Sequence, residues 1–284
     1  MLLFPELAAV TYDVLARPRG KWASQPVRMM VTPTLTAAAG LLVTRHTSYS
    51  ALAVLVLVLA SLSLIKLLRT TMSPAISAGV LPLALALQHW VYPPAIGVGF
   101  VGLAVIQAIW RRYGPASDSR TDGATASSAV EPTEGNPAHR FWYFTLVVFV
   151  VALGAVAQIT GLHFVLFPPL IVMAYEIFAH AELPDWIARP AMVPIVYVIT
   201  ASVGLLASGL PEAGQAAGVV VTLVVSILLL RASKIHIPPA LAISLLPFVI
   251  HRPDIWFVAP VGTGIIALTL CFMARIRLGH QSTM

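Results

Sequence analysis

The chain has 284 residues, of which 58% are hydrophobic and only 10% are charged, and its mean hydropathy is +0.89. Soluble domains are typically about half apolar and about a quarter charged. The composition therefore excludes a soluble enzyme, a disordered tail and a nucleic-acid-binding module, and it predicts an all-α polytopic membrane protein. The 17 Lys and Arg outnumber the 11 Asp and Glu, an excess that in such proteins reports topology rather than a polyanionic partner.

Eleven apolar segments follow one another along the chain. The first half holds five, at about 3–16, 27–44, 50–68, 74–90 and 95–112. The second half holds six, at about 141–160, 163–179, 190–208, 214–232, 237–250 and 255–274. A straight transmembrane helix needs about 20 residues. We therefore expect the shortest segments, 3–16, 163–179 and 237–250, to tilt, to lie sunken in the bilayer, or to re-enter.

Composition also divides the chain into domains. The stretch 113–140 is polar and rich in Ser, Ala, Gly and Pro, which is typical of a flexible linker. It separates a first domain, 1–112, from a second, 141–276, and a cytosolic tail follows at 277–284.

The basic residues predict how the segments are oriented. Eleven crossings with the N-terminus outside and the C-terminus in the cytoplasm place every Lys and Arg inside except Arg45 and Arg252. Cytoplasmic loops carry such an excess of basic residues. The prediction is an integral protein of the plasma (inner) membrane, with a cytosolic linker.

Less common residues recur in the two halves at a nearly constant spacing. Matched positions, first half to second, are Phe4-Pro5 to Phe167-Pro168, Tyr12-Asp13 to Tyr175-Glu176, Trp22 to Trp186, Gly40 to Gly204, and Pro74-Ala75 to Pro239-Ala240. These matches predict a duplication in which the first copy lacks the segment 141–160. An even number of segments separates equivalent ones, so the repeats should be parallel, with a pseudo-twofold axis along the membrane normal.

Prolines open short segments in both halves. They are Pro5, Pro74, the pair Pro168 and Pro169, and the pair Pro238 and Pro239. Proline is tolerated in the first turn of a helix, so these residues mark helix N-termini. If those ends lie within the bilayer, their dipoles and free N–H groups form an anion site. The alternative is that the prolines begin short helices at the surface.

Polar residues accompany the second proline of each half. Arg69 and Ser73 precede Pro74, and Lys234 and His236 precede Pro238. The cations would attract an anion, or they are long side chains that reach the headgroups. His236 would carry a proton, or it is an interfacial histidine.

The matched pairs Tyr12-Asp13 and Tyr175-Glu176 place an acid inside an apolar segment. At the bilayer centre an acid costs about 2.5–3.5 kcal/mol. The pairs therefore predict proton or cation carriers, unless the acids lie near the inner surface and pair with Arg17 or Arg189. Glu6, by contrast, is expected at the outer surface.

The second half resembles the HPP integral-membrane family over about residues 141–276. The residues that carry the resemblance are Phe167-Pro168-Pro169-Leu170, the turn Ala188-Arg189-Pro190, and Ile235-His236-Ile237-Pro238-Pro239-Ala240, in which one isoleucine separates the histidine from the prolines. The resemblance implies a nitrite transporter, and the first half would be a divergent second copy.

The leading hypothesis is secondary transport or channel-like permeation of a small inorganic anion, with proton coupling left open. One alternative is a cation- or proton-coupled transporter that uses Asp13 and Glu176 as carriers. Another is a membrane scaffold that transports nothing. We expect no enzymatic activity, no metal or other cofactor, and no nucleic-acid partner. The expected partners are the lipid bilayer and the anion, and a homo-oligomer is left open.

Overall fold

The computed structural model describes residues 4–18, 20, 22–113, 142–179, 189–250 and 253–281. Within those ranges the regular secondary structure is entirely helical, with eleven α-helices, which confirms the predicted all-α class. Each predicted apolar segment contains one of them. The central linker residues 114–140, together with Trp186 and Arg252, lie outside the described residues.

The chain forms two compact units, Phe4–Arg140 and Phe141–Met284. The first contains α1 (Glu6–Ala16), α2 (Pro26–His46), α3 (Ala51–Leu67), α4 (Pro74–Ala84) and α5 (Tyr92–Tyr113). Within it, α4 packs against α2, α3 and α1, and α5 packs against α2 and α1.

The second unit contains α6 (Trp142–Thr160), α7 (Pro168–Ala179), α8 (Met192–Ser208), α9 (Gln215–Ser233), α10 (Pro239–Leu245) and α11 (Val258–Gln281). Here α10 packs against α8, α9 and α7, whereas α11 packs against α8 and α7. The last helix continues to Gln281, so the stretch 277–284, predicted as a tail, begins inside a helix.

Five helical stretches are long and apolar enough to cross a membrane. They are Pro26–His46, Tyr92–Tyr113, Trp142–Thr160, Glu212–Ser233 and Ile255–Arg277. Large apolar side chains stand on their outer surfaces; Val98 on α5, for example, is 72% exposed. Such a surface is unfavourable in water and normal in lipid. The chain is therefore a membrane protein.

Several inner helices are too short to span the bilayer, and α4 and α10 are among them. At about 1.5 Å per residue, the 11 residues of α4 extend roughly 16 Å, against a hydrocarbon core of about 30 Å. All residues of Pro74–Leu83 in α4 and of Pro239–Leu245 in α10 are buried. We call α4 and α10 the two half-helices, because each is short and is covered by protein.

The first half-helix ends earlier than its apolar segment, 74–90, predicts. Pro82 lies in its last turn and has no N–H to donate. Ala86 then adopts a left-handed conformation, and the N–H of Leu87 bonds to the Pro82 carbonyl at 2.8 Å. This closing turn reverses the chain before α5.

A glycine allows each half-helix to cross a longer helix of its unit at close range, α2 in the first unit and α8 in the second. A Cβ added to Gly40 of α2 would overlap the carbonyl oxygen of Gly79 in α4. A Cβ added to Gly204 of α8 would likewise overlap the carbonyl oxygen of Ser244 in α10. The two matched glycines therefore fix the same backbone-to-backbone crossing inside each unit.

Candidate functional site

A left-handed residue with a cationic side chain precedes each half-helix. Helix α3 is followed by Arg69 at φ 47°, and α9 by Lys234 at φ 55°. The next N–H returns to the carbonyl five residues earlier, from Thr70 to Ile65 at 3.1 Å and from Ile235 to Leu230 at 3.3 Å. This is the Schellman turn, in which the left-handed position usually holds glycine.

The left-handed conformation costs a residue with a Cβ roughly 1–2 kcal/mol. In both units the left-handed residue lies in the connection that leads into the half-helix, and in both units that residue is a cation. Arg69 and Lys234 are exposed, so packing does not account for their presence. Strained positions of this kind concentrate at functional sites.

The expectation of free N–H groups at the half-helix N-termini is wrong. In α4 the first-turn donors Ala75 and Ile76 bond to the carbonyls of Met72 and Ser73, at 3.1 and 3.0 Å. In α10, Ala240 and Leu241 bond to the carbonyls of Ile237 and Pro238, at 3.1 and 2.9 Å. Pro74 and Pro239 have no N–H. The described first-turn donors of each half-helix are thus bonded to local carbonyls, and the dipole and the neighbouring cation are what remain to attract an anion.

A narrow cleft lies beside the start of α4, just before buried Ser73 and Pro74. Its walls are Trp22, Gln25, Met29, Thr70, Thr71 and Met72. The indole N–H of Trp22 donates to the Thr71 carbonyl at 3.0 Å, which ties the beginning of α2 to this loop. The cleft has no room for a water-sized molecule. The structure therefore holds this end of the half-helix in a closed arrangement.

Arginine side chains cap the helix that precedes each half-helix. The Nη1 of Arg28 donates to the Arg69 carbonyl at 2.6 Å, and that of Arg189 to the Ser233 carbonyl at 3.3 Å. A guanidinium favours the negative end of a helix dipole. Arg189, which we considered as a partner for Glu176, thus bonds to the end of α9.

The prolines and the histidine of the second unit flank its half-helix. Pro238 and Pro239 are buried at the start of α10, and His236 is half-buried just before them. Pro168 and Pro169 are buried at the start of α7, which packs against α10. The second unit thus brings both of its prolyl helices together.

Tyr197 of α8 is not among the residues that the sequence predicts as functional. Its side chain is completely buried, and its hydroxyl has no hydrogen-bond partner among the described residues. Its ring centroid lies 6.4 Å from that of Phe167, the residue before Pro168. A phenol within an apolar helix was the only signal in the sequence.

The acidic residues of the matched pairs lie toward the ends of their helices. Asp13 is 6% exposed, and its Oδ1 is 3.9 Å from Nη1 of Arg17. This is the pairing that we considered as the alternative to a carrier role. Tyr12 is half-buried beside it. On α7, Tyr175 and Glu176 are half-buried, and Tyr175 meets the ring of Trp142 edge to face at 5.6 Å.

In each unit, an arginine of the last long helix donates to backbone carbonyls that lie at or just after the end of the first prolyl helix, α1 or α7. In the first unit, Nη2 of Arg111 donates to the carbonyls of Pro18 and Ala23, at 2.6 and 2.8 Å. In the second, Nη1 of Arg275 donates to the Phe178 carbonyl at 2.8 Å. Two basic residues that the sequence places at a membrane surface therefore also hold helices together.

Glu6, expected at the outer surface, is a buried residue of the first unit. Its side chain is 2% exposed and accepts a hydrogen bond from Ser77 of α4. Its Oε2 has no hydrogen-bond partner among the described residues. The lone serine of the central turns of α4 was the signal that could have indicated a polar contact there.

Comparison with protein-family profiles, with curated proteins and with solved structures gives no match. The resemblance of the second half to the HPP family therefore stays a prediction.

Proposed function

We propose that this protein is a membrane transporter of a small inorganic anion, with nitrite as the cargo that the HPP resemblance implies. The observation that carries the proposal is a cationic residue in the left-handed backbone conformation before each buried half-helix. It is Arg69 before α4 and Lys234 before α10. A helix N-terminus carries roughly half a positive charge. Together, cation and dipole favour an anion, while the bonded N–H groups of Ala75, Ile76, Ala240 and Leu241 favour weak binding, which suits release.

We also infer that the two units are products of duplication and lie parallel in the membrane. The glycine crossings, the left-handed cations and the arginines of the last helices, Arg111 and Arg275, support this inference because they recur at matched places in each unit. In the proposed topology the chain crosses the plasma membrane with its N-terminus outside. The half-helices then belong to discontinuous paths of the kind transporters use.

The two alternatives have less support. A cation carrier at Asp13 is disfavoured because Arg17 is positioned to neutralise that carboxylate. A scaffold has no need of a cation in the left-handed conformation before each half-helix, nor of the buried Tyr197 hydroxyl, which has no hydrogen-bond partner among the described residues.

Anion binding by the full-length protein in detergent tests the proposal. The informative variant is Lys234→Gly, because glycine keeps the left-handed turn while the cation is lost. The matched control is Arg231→Ala, which removes an exposed cation from the last turn of α9. A ligand that binds only the folded state raises the melting temperature. We expect nitrite to raise it for the wild type and the control, relative to sulfate, and not for Lys234→Gly.

Equal nitrite stabilisation of Lys234→Gly and the wild type would remove Lys234 from the site. No stabilisation of the folded wild type by nitrite, nitrate or chloride at high concentration would count against anion recognition altogether.

A further inference from the structure

The carboxyl group of Glu6 lies among apolar helices of the first unit. Glu6 begins α1, which packs on α4 and α5. Around it, the rings of Phe4 and Phe100 are 6.1 Å apart, and a Cβ on Gly99 would come within 2.9 Å of Leu7. These contacts pack the first turn of α1 against α5, where the side chain of Glu6 is 2% exposed.

Polar partners for this carboxyl group are few. Ser77 donates to its Oε1, and Oε2 is left without a partner among the described residues. The hydroxyl of buried Tyr92 donates to the Ala78 carbonyl, at 3.2 Å. Among the described residues, Ser77 is thus the one side chain that donates to Glu6, and the backbone N–H of Glu6 itself is the other donor.

No positive charge compensates Glu6 in the part of the chain that the structure describes. Helix α4 has no ionisable side chain at all. Besides Tyr92, the ionisable residues of α5 are Arg111, Arg112 and Tyr113, all at its opposite end. On α1 itself, Tyr12 and Asp13 lie more than a turn away, and Asp13 faces Arg17. An uncompensated buried carboxylate is costly, and a buried carboxyl group avoids that cost by keeping its proton.

We propose that Glu6 is a proton-binding site of the first unit. In the arrangement that the structure shows, the proton resides on Oε2, while Ser77 donates to Oε1. When the first turn of α1 separates from α4 and α5, water reaches the carboxyl group and the proton exchanges with the aqueous phase. Proton binding does not depend on the cargo; its use in coupling rests on the proposed transport function.

The second unit has no equivalent of this site. Pro169 occupies the position after the matched pair Phe167-Pro168, where Glu6 follows Phe4-Pro5. The proton site is therefore specific to the first unit, and one proton per molecule is expected to bind there.

Infrared spectroscopy of the full-length protein at neutral pH tests the proposal directly. Ordinary surface carboxyl groups are ionised at this pH, so a protonated, buried one gives its own carbonyl band. We expect such a band in the wild type, a shift of that band in D2O, and its loss in Glu6→Gln, which preserves the shape of the side chain. The control Glu212→Gln changes an exposed acid and should keep the band. Glu6→Asp should restore a band at a shifted frequency.

Several results would overturn the proposal. They are a wild-type spectrum without a protonated carboxyl band, an unchanged band in folded Glu6→Gln, and a band that does not shift in D2O after prolonged exchange. None of these readouts requires transport. A failure of anion binding with the Glu6 band intact would therefore reject the transport proposal and leave the proton site standing.

Discussion

At the scale of single residues, removal of the Tyr197 hydroxyl distinguishes a structural role of this group from a functional one. An unsatisfied buried hydroxyl costs the folded state about 1–3 kcal/mol. If the hydroxyl of Tyr197 served only packing, phenylalanine would serve better. We therefore expect Tyr197→Phe to melt at the same temperature as the wild type or higher, and to lose nitrite uptake under the hypothesis that this hydroxyl serves transport rather than packing.

The control for this variant is Tyr143→Phe, which removes a hydroxyl from a residue that is 43% exposed. Melting temperature in detergent and uptake into liposomes are measured for both. Uptake at the wild-type level in a stabilised Tyr197→Phe protein would show that the hydroxyl takes no part in transport.

Single residues were the hardest features to predict from the sequence. The cations Arg69 and Lys234 were identified by their place before prolines, but their left-handed conformation was not, because Schellman turns are recognised by glycine. The sequence predicts Glu6 at the outer surface, and nothing in its local sequence indicates burial. Its burial depends on α4 and α5, which are distant in the sequence.

At the scale of helices, the half-helix crossings depend on Gly40 and Gly204. We expect Gly204→Ala to lower the melting temperature, because the added Cβ would overlap the Ser244 carbonyl oxygen and push α8 away from α10. Overpacking of this kind costs roughly 1–3 kcal/mol. Gly40→Ala should behave in the same way in the first unit.

Gly102 of α5 provides the matched control, because a Cβ added there meets no atom within 4 Å. Gly102→Ala should be neutral or stabilising by about 0.5–1 kcal/mol, since alanine is the better helix former. If Gly204→Ala and Gly102→Ala melted alike, the close crossing of α8 and α10 would not be a determinant of stability.

Helices were the features that the sequence predicted best. Apolar segments bounded by polar or prolyl residues predict helix type and approximate position, and each of them contains a helix. The chemistry of the helix ends was not predictable in this way. Proline at a helix start indicated open N–H donors, whereas the chain tightens into turns that use Ala75 and Ala240 as donors to local carbonyls.

At the scale of the whole molecule, composition established the membrane class, because charged residues are too few to cover a soluble surface. The number of crossings depends on the short helices. Five helices have the length of a span, and the two half-helices reach partway. Their length was visible in the sequence, but the fact that protein covers them on all sides was not, since it depends on helices brought together by the fold.

The most direct test of the proposed transport function is nitrite uptake into liposomes that contain the full-length protein, with empty liposomes as the baseline. The account predicts uptake above that baseline for the wild type and for Arg231→Ala, and loss of it for Lys234→Gly. Wild-type protein that is folded in the liposomes, yet moves nitrite, nitrate and chloride no faster than the empty bilayer, would contradict it.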